Sequence, residues 1–458
     1  MNIELNDKKK KSVTLFVNLV TAFITTFTGS ALNLSIPNIG DDFMVSASYV
    51  GWTVTAYMLA SAAFSVPFGR IADITSRKKV LVTGIGVFAV CSLICAFAWN
   101  MTIMVIARAL QGFGAAMIFS TNMAILISAY PDKERGKVLG FSTAATYIGL
   151  SAGPVVGGFF NHNFGWRSIF VLTFLISAVV FALAIIKLPK IEVRKEKVPY
   201  DMLGNVFYTG MIICVLYGIS AFSTTLLAKA MLVIGVGLAI AFVRHELKFE
   251  YPIIKLRLFT NNISYTLSNV AALMNYSATF AISYLLSIYF QVVMGYSSQV
   301  AGLILVTQPT VQALLSPYTG KLSDKVSPFK MASFGMALCA GCLLFFAYLG
   351  EDTSLWMIIT ALIVAGIGFA FFATPNTNAV MSCVEAKDYS VASSILATMR
   401  NIGHTSSMAI VTAVVGIYMG SAALTEADPG LLIKTMHTCY LIFTGICVVG
   451  TFISLKRK

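Results

Sequence analysis

Charge is scarce in this sequence and missing from the places where it would cost most. Only 11% of the 458 residues are charged. None of the nineteen acidic residues falls at the middle of an apolar run, the inner ones such as Asp73, Asp201, Glu246 and Asp324 standing in loops or at helix ends. Against 57% hydrophobic residues and a mean hydropathy of +0.82, that poverty excludes an ordinary water-soluble domain. Histidine and cysteine are also sparse, at four and eight. The close pairs Cys91/Cys95 and Cys339/Cys342 lie in apolar runs without histidine or carboxylate neighbours, whereas structural zinc needs four convergent ligands. They are expected as small apolar side chains, with no metal. The chain has no HExxH pattern and no phosphate-binding loop, so neither metalloprotease nor nucleotide-hydrolase chemistry is expected. The expectation is a protein that is not an enzyme and has no cofactor.

What the sequence has instead is long apolar runs. A bilayer crossing takes about 20 mostly apolar residues, and the chain divides into fourteen such stretches, 13–35, 47–68, 80–98, 101–126, 138–160, 168–188, 205–222, 227–244, 264–290, 300–319, 331–349, 354–380, 391–419 and 437–455. The run after Lys8 to Lys11 is too long for a signal peptide and is expected to stay as the first helix. Sorted by these spans, most of the 32 basic residues fall on one side, in Lys8 to Lys11, the groups at 70–79, 133–137, 187–197, 244–257 and 321–330, Lys387, and Lys456 to Lys458. Arg167, Lys229 and Lys434 lie on the other side. The positive-inside rule then places both termini in the cytoplasm. The net charge of +13 is thereby topological, with weak attraction to anionic membrane lipid as a side effect and nucleic acid not expected as a partner.

The chain also repeats itself. The loop GRIADITSRKK (69–79) returns as GKLSDKVSPFK (320–330), pairing Gly69 with Gly320, Arg70 with Lys321 and Asp73 with Asp324 at an offset of 251 residues. That offset covers eight spans where two six-helix halves would give six. Two extra spans must therefore lie between the halves, most simply at 205–244. The expected organisation is an all-α membrane protein with an amino-terminal six-helix bundle (1–190), a linker with two inserted transmembrane helices (191–262) and a carboxy-terminal six-helix bundle (263–458). Two facing halves put a binding site at their interface and work by rocking.

At these residues a family resemblance becomes specific. GRIADITSRKK resembles the cytoplasmic signature of the major facilitator superfamily, IMVIARALQGFGAA (103–116) its fourth-helix arginine motif, and GLSAGPVVGG (149–158) the antiporter motif GxxxGPxxGG at all six defined positions. WRSIF (166–170), DMLG (201–204), PIIKLRLF (252–259) and AGIGFAFFATPNTNAV (365–380) are similar to the fourteen-helix drug/proton antiporter (DHA2-type) family. The resemblance implies two rocking bundles and proton-driven export of small amphipathic compounds by a monomer in the bacterial cytoplasmic membrane. It implies that Asp73 helps latch the halves on the inner side, with Gly69, Arg70, Arg77, Gly320 and Asp324 in the same motif. It also implies proton coupling at Arg108, and an outer-side contact built from Gly149, Gly153, Pro154, Gly157 and Gly158 that marks exporters.

The residues themselves give reasons. Gly149, Gly153 and Gly157 share one helix face and allow close backbone approach, while Pro154 lacks an amide and frees the carbonyl of Leu150. Asp73 and Arg77 are spaced for an ion pair if the turn is helical. Family members often carry a first-helix aspartate; aligned on Asn33 and Pro37, that position here is Thr28. A buried carboxylate is the usual proton carrier and partner of cationic drugs, so coupling falls to Arg108, Arg400, His404 or an edge acid such as Asp41. Polar and aromatic candidates for substrate contact are Asn33, Trp52, Tyr57, Asn122, Asn275, Tyr276, Gln308, Gln312, Asn376 and Asn378. Three readings stay open: a proton-coupled multidrug exporter of neutral, weakly cationic or zwitterionic amphiphiles; a facilitator or exporter of a specific metabolite, organic anion or lipid-like molecule; and a non-transporting membrane receptor or intramembrane enzyme.

Overall fold

The structure, a computed structural model, describes residues 2–33, 35–45, 47–189, 199–220, 222, 225–419 and 429–457, and its regular elements are helical throughout. The long helices are α1 (Asn2–Asn33), α2 (Trp52–Ile74), α3 (Arg77–Ala96), α4 (Met101–Ala129), α5 (Arg135–Phe164), α6 (Arg167–Lys187), α7 (Met202–Ser220), α8 (Leu226–Glu246), α9 (Ile263–Val292), α10 (Gln299–Ser323), α11 (Pro328–Ala347), α12 (Leu355–Ser382), α13 (Tyr389–Met419) and α14 (Pro429–Leu455). Helices follow from the apolar surroundings, which leave backbone N–H and C=O groups no water to bond. Polar residues at the loop ends set the starts: Asn100 caps α4 through Ile103 N at 2.8 Å, and Asn262 caps α9 through Tyr265 N at 2.9 Å.

Among the described residues, twelve helices are long and apolar enough to cross a membrane. The expected fourteen spans are not supported by that measure, because α2 and α13 are absent from the twelve. Both have the length, at 23 and 31 residues. They are more polar because they pack inward: α2 buries Thr53, Ser61 and Ser65, and α13 buries Ser390, Ser393, Ser394 and Thr398.

Helices α1 to α6 pack on one another, α9 to α14 do likewise, and the two groups meet along two seams, α5 against α10 and α2 against α13. The first group closes over Ile24, Leu81, Ile85, Phe88, Ile118 and Ile125. The second closes over Met336, Leu343, Phe346, Leu362, Tyr440 and Phe443. The pair α7 and α8 packs on itself, and α7 lies against both α2 and α13. α8 is peripheral, with 17% of its apolar window buried where α3 and α4 have 56%.

Candidate transport site

The repeated loops are the points where the two groups of helices are tied together. At the end of α2, Gly69 lets the backbone close on α13: a Cβ there would meet Ser394 Oγ at 2.5 Å and Ser390 O at 2.9 Å. One turn on, Asp73 pairs with Arg77 at 2.7 Å, the two side chains 1% and 4% exposed. The other carboxylate oxygen accepts from Val391 N at 3.1 Å, at the amino end of α13. Arg77 donates further to Ser390 Oγ and Ser128 Oγ at 3.1 and 3.0 Å, and to the carbonyl of Ala386. Arg70 lies half-exposed beside them.

The second copy makes the matching tie at the other seam. A Cβ on Gly320 would run into the carbonyl of Gly136, and Asp324 accepts from Gly136 N at 2.6 Å and Lys137 N at 3.0 Å, at the amino end of α5. Burial holds the Asp324 carboxyl above its ordinary value, against the pull of those two amides. Both carboxylates therefore sit on the positive end of a helix from the opposite group. With both ties made, the molecule is closed on the side of its basic loops.

Above the closed side a cavity of about 80 Å³ lies between the groups, lined by Asn122, Thr146, Tyr276, Thr377, Ser393 and Arg400 among others, with no carboxylate among its lining residues. The guanidinium of Arg400 lies 5.7 Å from the Phe119 ring centroid. Asn122 is oriented by α1, its Oδ1 accepting from Thr21 Oγ1 at 3.1 Å and its Nδ2 donating to Asn18 O at 3.2 Å.

Other candidates lie elsewhere. Arg108 is fully buried within the first group, donating to Thr53 O at 2.8 Å and to Gln111 Oε1, with Tyr57 4.4 Å from its guanidinium carbon. It thus uses a carbonyl, an amide and a ring. Asp41 is exposed, and its neighbour Asp42 pairs with Arg167 at 2.5 Å. Thr28 is buried and donates to Ile24 O at 2.7 Å. His404 stacks on Phe280 at 4.1 Å and meets Tyr276 edge-on at 5.4 Å. Trp52 stacks on Tyr217 of α7. Asn275 and Gln312 are fully buried, and Gln308 donates to Gln312 at 3.1 Å. Asn376 accepts from Arg457 at 2.5 Å and donates to Ser268 O, so it is structural; the carboxy-terminal arginine folds in from the tail. Asn378 donates to Ser323 Oγ at 3.0 Å, beside the Asp324 tie. The side chains of Asn33 and Pro154 lie outside the described residues.

The glycine face of α5 packs on α1, within one group of helices. A Cβ on Gly149 would meet Phe23 O at 2.5 Å and one on Gly157 the Cα of Ala31 at 2.9 Å; Gly158 follows half-buried. Gly153–Gly157 forms a π-helical turn, and Ser30 Oγ donates to the Leu150 carbonyl that proline leaves free, at 2.9 Å. The same stretch contains Gly149-x-Ser151-x-Gly153, the spacing of a hydrolase nucleophile. Ser151 Oγ donates to Tyr147 O at 2.8 Å in a helix that continues through it, not on the strand-to-helix elbow such a nucleophile needs.

Two helical groups joined at two pseudo-symmetric seams around a polar cavity define a secondary-transporter fold. The sequence profile of the Major Facilitator Superfamily matches residues 19–408 and 269–457, and the chain belongs to that superfamily. It is similar to the riboflavin transporter RibZ of Clostridioides difficile (strain 630), 27% identical over 447 residues that cover 98% of this chain and 97% of that one. It is also similar to the multidrug resistance protein Stp of Mycobacterium tuberculosis (strain ATCC 25618 / H37Rv), 27% identical over 89% of this chain and 76% of that one. The human organic anion transporter MFSD10 shares the fold with a TM-score of 0.69 at 11% identity, over 98% of this chain and 99% of that one. The proton:xylose symporter XylE does so with a TM-score of 0.68 at 12% identity, over 98% and 96%. The protein is a polytopic membrane transporter.

Proposed function

We infer that this transporter exports small amphipathic compounds whose polar end is neutral, zwitterionic or anionic, by rocking its two halves across the central cavity. The observation that carries this reading is Arg400, a guanidinium among hydroxyls and amides in a cavity lined by no carboxylate. A cationic substrate would meet like charge there without compensation, at a cost that low dielectric magnifies. In this reading the domains are 1–190, 191–262 and 263–458, α2 and α13 cross the membrane to give fourteen spans, and both termini face the cytoplasm of a bacterial cell. The protein works as a monomer. The closed basic side corresponds to a state open outward, which suits release. A proton gradient supplies the energy, with His404 and Arg400 as the coupling pair in the cavity walls and Arg108 as a fixed charge behind them.

The test is efflux from vesicles reconstituted with the protein, with pH gradient and membrane potential varied separately, using an anionic dye and a cationic dye of similar size. Anionic-dye efflux driven by the pH gradient, lost in Arg400→Gln, is the expected result. Faster efflux of the cation, untouched by Arg400→Gln, would overturn the reading. A specific aromatic metabolite as cargo is the second reading, favoured by the relative RibZ, named as a riboflavin transporter and matched over nearly its whole length. Riboflavin flux in the same vesicles, absent for unrelated dyes, would establish it.

A further inference from the structure

Beside the Arg400 cavity lies a larger one of about 210 Å³, and its walls come from three parts of the chain: Met58 and Leu59 of α2, His404 and Met408 of α13, Phe280 of α9, and Leu216 of the inserted helix α7. Six of its eleven lining residues are apolar and the rest are three threonines, Asn401 and His404, so the pocket is more apolar than polar, and methionine adapts to ligands of varied shape. The two cavities adjoin. Arg400 and His404 are one turn apart on α13, Tyr276 lines the first cavity, and the Tyr276, His404 and Phe280 rings form the layer between them. On the far side the wall is α7, held to both halves of the molecule. Tyr208 shares a 3.1 Å hydrogen bond with Thr398 of α13, and Tyr217 stacks on Trp52 of α2 at 6.0 Å. Tyr208, Ile212 and Leu216 pack with Ala62 and Val66 of α2 and Ile395 of α13. The inserted helix thus closes a seam that would otherwise leave this cavity open along its side.

We propose that this side pocket binds the hydrocarbon tail of a single-tailed anionic amphiphile whose head group sits at Arg400, with α7 as the wall that makes the pocket. The head-group half of this proposal rests on the reading of Arg400 given above; the tail half stands on the pocket itself. A charged head and an apolar tail match a guanidinium cavity and an apolar cavity set side by side, and neither cavity alone would hold both ends.

The experiment is calorimetric titration of the protein in phosphatidylcholine nanodiscs, empty discs subtracted, with alkanesulfonates from butane- to dodecanesulfonate. Each added methylene should tighten binding about fourfold until the pocket is full. Leu216→Trp fills the pocket from α7, and Thr412→Trp, at its exposed rim, fills it without touching the core. Each should cut the ratio of the butane- to the decanesulfonate Kd by about tenfold or more, while Arg400→Gln weakens every chain length by a common factor. Survival of the full length dependence in both tryptophan variants overturns the proposal, as does failure of every sulfonate to bind the wild type. Loss of length dependence in the tryptophan variants with no effect of Arg400→Gln keeps the tail pocket and overturns the anion reading.

Discussion

At the α2–α3 loop, Asp73 reaches the amino end of α13 and is gripped from behind by Arg77. At the α10–α11 loop, Asp324 reaches the amino end of α5, and the position 251 residues after Arg77 is Pro328. The shared parts are the glycine that lets two backbones close and the carboxylate that takes up amide donors of a helix in the opposite half. The arginine belongs to one copy only. Burial accounts for the difference. Asp73 is almost wholly removed from water and needs a counter-charge to remain ionised, whereas Asp324 is half-buried, with two amides and the more distant charge of Arg135 to stabilise it. The latch is thus a helix-terminus device, and the ion pair is what allows one copy of it to be buried.

Breaking the buried copy should have the largest effect. Asp73→Ala strands the Arg77 guanidinium, 4% exposed, and removing one partner of a buried pair costs about 3–5 kcal/mol. Spin labels at Lys79 and Lys387, both exposed, should report by pulsed electron resonance a shift from one short distance to a separated population. A distance distribution like that of the wild type would show that the ion pair is not what holds this seam.

The half-buried copy should yield less. Asp324→Ala removes two charge-assisted acceptors, at about 1.5–3 kcal/mol, and should open the α5–α10 seam more weakly than Asp73→Ala opens the other. It also carries a pH signature. Burial raises the Asp324 carboxyl above 3.8 in the latched form, so that form binds the proton more tightly than an open form with the carboxyl in water. Its contribution to closure is complete below 3.8 and is lost as pH rises through the raised value. Mild acidification should therefore tighten the α5–α10 seam in the wild type and not in Asp324→Asn, read by the labelling rate of a cysteine at Lys137. Tightening with rising pH would reverse the assignment.

The glycines refine the contrast. Around Gly320 the three nearest atoms to an added Cβ are all backbone, of Gly136 and Gly140, while around Gly69 the nearest is the hydroxyl of Ser394. A hydroxyl can rotate and a backbone cannot. Overpacking costs about 1–3 kcal/mol; Gly320→Ala should fall at the top of that range and Gly69→Ala lower, measured as loss of the closed population with the same label pairs. Equal effects would mean that the Ser390 carbonyl, at 2.9 Å from the added carbon, dominates the first seam.

These two loops were the most legible part of the sequence because a close backbone contact restricts a position to glycine and a helix-terminus contact calls for a carboxylate, so the pattern survives duplication. The helices were legible from their apolar runs, and the freed Leu150 carbonyl from Pro154. What escaped was set by partners distant in sequence. Asp201 and Glu246 read as loop acids, yet both are buried, with Asp201 bonded to His245 at 2.9 Å and Glu246 accepting from Ile254 N at 3.1 Å. Arg457 reads as a tail charge and instead holds Asn376. The glycine face of α5 gives no sign that its partner is α1, because small residues specify close approach and not what approaches. Of ten polar or aromatic substrate candidates, Asn122 and Tyr276 line the Arg400 cavity; a period of 3.6 places side chains on a face without saying whether it looks onto a cavity or a neighbouring helix.

The smallest effect tests why one copy lacks the arginine. Pro328→Arg rebuilds the missing residue at the first position of α11, after Ser327. The new guanidinium would stand one turn from a half-buried carboxylate already bonded to two amides, where an exposed pair is worth about 0.2–1 kcal/mol. Losing proline where its φ is already helical costs about 0.4–1 kcal/mol through the freer unfolded chain. The two nearly cancel, so the variant should change thermal stability and seam closure by less than about 0.5 kcal/mol. A gain well beyond 1 kcal/mol would mean that Asp324 lacks a counter-charge it could use, and that the asymmetry between the seams keeps the α5–α10 latch weak enough to open first.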